Sequence, residues 1–293
     1  MTLAAASTDL DLPAPESLAR GDFDIVIRRL ADDLAFGSDT SRLVGSGLEY
    51  ASSRPYIPGD SVRLLNWRLT ARTGKPFVRE YEALKRTVVY LFVDTSASMS
   101  VASTARSKHD LAVWIASAIG LVAQRRMSPV ALISGGEREI PLLPSLSRNE
   151  LWQAIEPLRT RGIDEKTTLG AQLRRVAQRA TRASVMFVLS DLHDPDAIPA
   201  IRHAAQKHDC SVIHLVDPAE TKPLRAGFFR GREAETGRRF VGTSSTVLGE
   251  VEVVRDELLR SGADYLRLDT DAPFIPALRH HLGSRGALNR GRG

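Results

Sequence analysis

The sequence predicts an α/β protein: a doubly wound, mostly parallel, Rossmann-like sheet preceded by a small N-terminal module. Three observations lead there. Residues 88–93 and 184–190 are runs rich in apolar, β-branched and aromatic residues, the pattern of strands buried on both faces. Each run hands over to an aspartate, Asp94 or Asp191. Segments with helical spacing of apolar residues alternate with these and further strands, which is the rhythm of a parallel sheet covered by helices.

The elements follow in order along the chain. Residues 1–20, with Asp9, Asp11, Pro13 and Pro15, lack a basic start and an apolar stretch, and read as a disordered tail without a signal peptide. Residues 21–86 are expected to form the N-terminal module and 87–283 the α/β domain. Within 110–126, Leu111, Ile115, Ala118, Ile119 and Val122 fall at helical spacing, and Val113 and Trp114 widen the apolar face. Pro129 opens a strand over 130–133, and Gly135-Gly136 turns into a hairpin through Ile140. Helices are expected over 150–158 and 169–179, then a strand over 184–190, a helix near 197–208 and a strand over 211–216. Residues 222–249 break the rhythm with glycines, arginines and Phe228, Phe229 and Phe240, and read as an inserted hairpin or loop. A helix over 250–260, a strand over 264–268 and a helix over 273–282 close the domain. Residues 284–293 read as a basic, flexible tail.

Composition narrows the class. A chain of 293 residues with 43% hydrophobic and 26% charged residues has the make-up of a globular protein with an ample core. Its single cysteine, Cys210, excludes an intrachain disulfide and reads as a small buried hydrophobe. No run approaches the roughly 18 apolar residues that a membrane span needs, so the cytoplasm is the expected location. The net charge of +5 comes from arginines spread along the chain, with no helix-turn-helix, zinc-finger or aromatic stacking motif beside them. A docking surface for an acidic protein explains that charge better than nucleic acid does.

The chemistry concentrates at the strand ends. Asp94-Thr95-Ser96-Ala97-Ser98 places one carboxylate and two hydroxyls at i, i+2 and i+4, at the edge of the sheet where α/β proteins bind ligands. These all-oxygen donors suit a hard divalent cation such as Mg²⁺. The same residues also serve as turn and helix-capping chemistry, which is the competing reading. Lys166-Thr167-Thr168 precedes the helical pattern of Leu169, Leu173 and Val176, so a threonine hydroxyl sits on a loop able to face the same edge. His193, two residues after Asp191, reads as a solvated loop residue near it.

The order D-x-S-x-S, threonine, strand-end aspartate resembles the metal-ion-dependent adhesion site of von Willebrand factor A domains. The resemblance implies a metal, Mg²⁺ or Mn²⁺, touched by Ser96, Ser98 and Thr167, with Asp94 and Asp191 acting largely through water. Thr168 is the alternative to Thr167. An open coordination position would take an acidic residue of a partner. The approach to the threonine reads Asp164-Glu165-Lys166, where that family commonly carries glycine.

A second block lies upstream: Tyr56, Pro58, Gly59, Asp60 and Arg63, then Asn66, Trp67 and Arg72. It resembles the bacterial DUF58 family, in which such a block precedes a von Willebrand A-like domain; Asn66 stands where aspartate is more usual. From the residues alone, Pro58-Gly59-Asp60 is a turn. Arg63, Arg68, Arg72 and Arg79 can pair with Asp60, Glu80 and Glu82, and Trp67 reads as a packing anchor in a structural clamp. The resemblance implies a non-enzymatic adaptor that works with a MoxR-type AAA+ ATPase in assembling or activating a protein complex.

Enzymatic alternatives meet missing parts. No P-loop, no G-x-S-x-G elbow and no H-E-x-x-H occurs. A haloacid-dehalogenase-like phosphatase, the runner-up, needs a second carboxylate where Ser96 stands. Nucleic-acid binding through the arginine-rich surface is the other alternative.

Overall fold

The structure, a computed structural model, describes residues 11–35, 48–83, 87–138, 142–160, 165–221, 229–232, 239–242 and 244–288. In chain order its elements are α1 (Arg20–Ala35), β1 (Leu48–Pro55), α2 (Trp67–Thr73), β2 (Phe77–Ala83), β3 (Val89–Val93), α3 (Ala97–Ser100) and α4 (Lys108–Arg125). There follow β4 (Val130–Ser134), β5 (Leu142–Ser145), α5 (Arg148–Leu158), α6 (Leu169–Arg179), β6 (Val185–Ser190), α7 (Ala197–Ala205) and β7 (Asp209–Val216). The last are α8 (Pro218–Thr221), β8 (Phe229–Arg232), β9 (Arg239–Gly242), α9 (Ser244–Arg260), β10 (Asp264–Asp269) and α10 (Ile275–Leu288).

The chain divides into two compact units, Asp39–Arg86 and the remainder. The larger unit holds a six-stranded sheet of order β5-β4-β3-β6-β7-β10, in which only β5 runs antiparallel. Counted in sequence order these strands read 3-2-1-4-5-6, a doubly wound arrangement whose winding reverses between β3 and β6. Side chains alternate along each strand. Val89, Leu91 and Val93 enter one apolar layer with α1, α4, α5 and α10, whereas Phe92 enters the other with α6, α7 and α9.

Helix α4 explains the depth of the first layer. Every residue from Lys108 to Leu121 is buried, so this helix is covered on all sides. A capping box starts it: the Ser107 hydroxyl accepts from the Asp110 N–H, and the Asp110 carboxylate accepts from the Ser107 N–H. Helix α1 lies over it through Phe23, Ile27, Leu30 and Leu34, with the Phe23 and Trp114 ring centroids 4.8 Å apart.

Several sequence expectations are corrected here. The 21–86 module divides, because α1 belongs to the larger unit and only 39–86 forms the smaller one. The expected 1–20 tail is partly packed: Pro15 is buried, and the Arg159 guanidinium donates to the carbonyls of Pro15 and Leu18. Residues 1–10 lie outside the described residues. The return strand of the hairpin is β5, two residues beyond Ile140, and 139–141 lie outside the described residues. The 222–249 stretch contains the antiparallel β8–β9 pair, but α9 already starts at Ser244. Helix α10 continues to Leu288, into the expected tail, and 289–293 lie outside the described residues.

The smaller unit pairs β1 with β2 from Leu48↔Ala83 to Pro55↔Phe77, with an irregularity between Tyr50 and Ser52. The turn after Tyr56 uses Gly59 at φ 111°, and the Asp60 N–H donates to the Ile57 carbonyl at 3.0 Å. Asp60 is held by Arg54, in a two-armed contact of 2.7 and 2.8 Å, and not by the arginines the sequence offered. Arg63 and Arg72 have no ion pair among the described residues, and the side chains of Glu80 and Glu82 lie outside them. Asn66 caps α2 by accepting from the Leu69 N–H at 3.2 Å, while its amide donates to Ser53 Oγ at 3.0 Å. An aspartate could not make that second bond as a donor. Trp67 is 64% exposed, so it is not the packing anchor expected; Val78 is buried in this unit.

Candidate functional site

Parallel pairing of β3 and β6 aligns Val93 with Leu189, so the two strands end side by side at the point where the winding reverses. Open α/β sheets bind ligands at such a switch point. Asp94 follows β3 directly. Its N–H still donates to the Leu189 carbonyl, at 2.9 Å, which fixes its backbone to the neighbouring strand.

The Asp94 carboxylate is buried and accepts from Ser190 Oγ at 2.6 Å and from the Ser96 N–H at 3.0 Å. Ser96 then opens the short helix α3, which brings the Ser96 and Ser98 hydroxyl oxygens to 3.1 Å from each other. Among the described residues no basic side chain pairs with Asp94. Burial, reinforced by the charge of Asp191, pushes its pKa up to about 7 against hydrogen bonds from Ser190 and from the Ser96 amide and hydroxyl.

The threonine loop reaches this edge through Gly135. The Gly135 N–H donates to the Val93 carbonyl at 2.7 Å, and a β-carbon at Gly135 would stand 3.1 Å from the Asp94 Cα. The Thr168 N–H in turn donates to the Gly135 carbonyl at 2.7 Å. The two threonines differ. The Thr168 hydroxyl donates to the Gly136 carbonyl at 2.8 Å, whereas the Thr167 hydroxyl makes two long 3.5 Å contacts, to the Gly135 carbonyl and from the Leu169 N–H. Thr167 therefore has the hydroxyl less committed to backbone.

Glu165 performs the task that glycine would leave undone. Its carboxylate accepts from Thr95 Oγ1 at 2.9 Å, it pairs with Arg138, and its carbonyl accepts from the Ala97 N–H at 2.9 Å. A β-carbon on Gly136 would lie 2.2 Å from both Thr95 Oγ1 and Glu165 Oε2, so that glycine makes room for this tie.

Asp191 sits in different company. Lys108, fully buried at the start of α4, donates to Asp191 Oδ2 at 2.6 Å and also contacts the Glu220 carboxylate on α8. His193 Nδ1 lies 3.0 Å from the same Oδ2. Burial alone would raise Asp191, but the charges and hydrogen bonds of His193 and Lys108 overcome it and hold the carboxyl well below its usual range. Burial opposes the charge on Lys108 too, and Asp191 and Glu220 prevail, so the ammonium is stabilised. The imidazole of His193 is raised to about 9, first by the Asp191 charge. Asp191, His193 and Glu220 place ligand atoms within 4.8 Å of one another, but the Lys108 ammonium already supplies the cation between the two carboxylates.

Asp94, Ser96 and Ser98 thus come together, both threonines stand beside them through Gly135, and Asp191 closes the far side while engaged with Lys108. Sequence reading missed Lys108, Ser190, Glu165 and Glu220. Lys108 left one trace: it is in phase with Leu111, Ala112 and Ile115, a charge on the buried stripe of a helix.

Comparison with known proteins places these features in context. The model of a family described as protein of unknown function, DUF58, matches residues 52–250. Uncharacterized proteins of Mycobacterium bovis and Mycobacterium tuberculosis are each 25% identical, over 94% of this chain and 95% of theirs. Among solved structures, the RO (RSR) protein of Deinococcus radiodurans aligns over 91% of this chain and half of that one, at 17% identity and a TM-score of 0.36. The PilB minor pilin of Streptococcus sanguinis aligns over 74% of this chain and 66% of that one, at 12% identity and a TM-score of 0.37.

Proposed function

The chain belongs to the DUF58 family, and from that premise we propose that it is a non-enzymatic, metal-dependent protein-binding adaptor with a site of the von Willebrand A type at the β3–β6 edge. One observation carries the reading: Asp94 is a fully buried carboxylate that no basic side chain of the described residues pairs with, beside two hydroxyl oxygens 3.1 Å apart, at the sheet's switch point. Leaving a buried charge unpaired costs several kcal/mol or forces the group to take up a proton, as the raised pKa of Asp94 reflects. A hard divalent ion removes that conflict, and these donors fit one.

Ser96, Ser98 and Thr167 would hold Mg²⁺ or Mn²⁺, with Asp94 supplying charge and Asp191 standing behind it. When bound, the ion supplies a Lewis-acidic position for an anionic ligand. Because Lys108 already balances Asp191, the ion and Asp94 together leave a net positive charge, which suits a glutamate or aspartate from a partner. Ser190 and the Ser96 N–H orient the Asp94 carboxylate, and the Thr95–Glu165 tie holds the hydroxyl loop in place. The partner proposed is a MoxR-type AAA+ ATPase, and the working location the cytoplasm. Among the described residues no helix is long and apolar enough to cross a membrane.

Calorimetric titration of the purified protein with MgCl₂ and MnCl₂ tests the reading. Saturable binding is expected in the wild type and none in a folded Ser96→Ala/Ser98→Ala variant. Absence of binding to either metal at millimolar concentration removes the metal from the proposal.

A further inference from the structure

A groove of about 340 Å³ runs along α6 and is lined from β3, β4, β5 and α6. Helices α4 and α5, which contact β4 and β5, lie on the opposite face. The floor is apolar, from Tyr90 on β3 and from Ala131 and Ile133 on β4, and Val176 forms the wall on α6. Leu143 on β5 stands at the rim and is 79% exposed.

Two polar features are superimposed on this apolar floor. Arg175 and Arg179, one helical turn apart on α6, line the groove and make no ion pair among the described residues. Gln172, one turn earlier, has a buried amide oxygen that receives no hydrogen bond from the described residues. A buried acceptor without a donor is costly, so an occupant that brings an N–H is favoured.

We propose that this groove binds an extended segment of a protein partner in which an apolar side chain is flanked by carboxylates. The apolar side chain covers Tyr90 and Ile133, the carboxylates meet Arg175 and Arg179, and a peptide N–H satisfies Gln172. The peptide N–H separates this occupant from a fatty acid, which offers a carboxylate and a chain but no donor. Apolar contact over the floor separates it from nucleic acid. The proposal does not depend on a metal at Asp94.

Methyl- and amide-detected NMR of the whole protein tests it, with an acetylated, amidated heptapeptide alternating glutamate with leucine and phenylalanine as the probe. Saturable shifts are expected at Ile133, Leu143 and Val176, with at least tenfold weaker binding to Arg175→Glu/Arg179→Glu. Replacing the glutamates of the probe by lysine should reverse that preference. No saturable shift at millimolar peptide overturns the proposal, as does equal affinity for the lysine peptide. Binding of dodecanoate in the groove without the peptide would assign it to a small amphipathic acid instead. Shifts at the same residues on concentrating the protein alone would assign it to a second copy of this chain.

Discussion

Asp94 and Asp191 end adjacent strands of one sheet and are equally buried, yet their surroundings are opposite. Asp191 is held ionised by Lys108 and His193, and Lys108 also pairs with Glu220. Asp94 has a hydroxyl, an amide and the charge of its neighbour. The difference teaches how a protein can hold one carboxylate permanently and leave another waiting. The compensated half of the edge is structural. The uncompensated half is where an external cation gains most, because burial has already removed the water that would otherwise compete for it.

The comparison breaks most visibly at Lys108. Lys108→Met removes one partner of a buried pair and should destabilise the protein by about 3–5 kcal/mol, read as a lower urea midpoint at unchanged slope. Loss of less than about 1 kcal/mol would mean that Asp191 is not a fixed charge. Asp94→Asn should act in the opposite direction in metal-free buffer, leaving stability unchanged or raising it by about 1 kcal/mol, because a like-charge repulsion is relieved. The same variant should lose the Mg²⁺-dependent rise in melting temperature expected of the wild type. Glu220→Gln should cost only about 1 kcal/mol, since this carboxylate is partly exposed and Lys108 keeps Asp191; chemical denaturation distinguishes it from Lys108→Met.

The smallest effect belongs to Asp60, a half-buried reference for both. Arg54 and the Ile57 N–H lower its pKa to about 2. A folded pKa below the unfolded value of about 3.9 means that its contribution is present above pH ~4 and lost as pH falls through about 2. Carboxyl NMR of Asp60 should show a midpoint near that lower value, returning toward about 4 in Arg54→Ala.

Much of the larger unit was legible because burial on both faces writes itself into the sequence. The runs at 88–93 and 184–190 locate β3 and β6 to within a residue, and aspartates at their ends announce the ligand edge. The helix expected over 110–126 is α4, but its start at Lys108 was hidden, because a lysine beside a capping serine ordinarily reads as solvated. What makes it internal is Asp191, 83 residues away, and no local pattern carries that distance. The choice between Thr167 and Thr168 was illegible for a related reason: it turns on which hydroxyl the Gly135-Gly136 backbone engages. The docking of α1 on α4 was missed although Phe23, Ile27, Leu30 and Leu34 have helical spacing, since an amphipathic helix does not name its partner. In the smaller unit, the family block was recognisable as a block, but the exposure of Trp67 and the choice of Arg54 for Asp60 depend on tertiary placement.

The docking of α1 also means that the smaller unit is an insertion, entered from one part of the larger unit and left into another. A single proteolytic nick inside it would divide the chain without releasing the piece before the cut. Five buried side chains hold α1 in the larger unit, and Arg125 and Arg148 clasp Asp32 and Asp24 at 2.6 and 3.1 Å. The two fragments should migrate together on a sizing column and part only in denaturant, so the nicked protein would behave as a heterodimer made from one gene product.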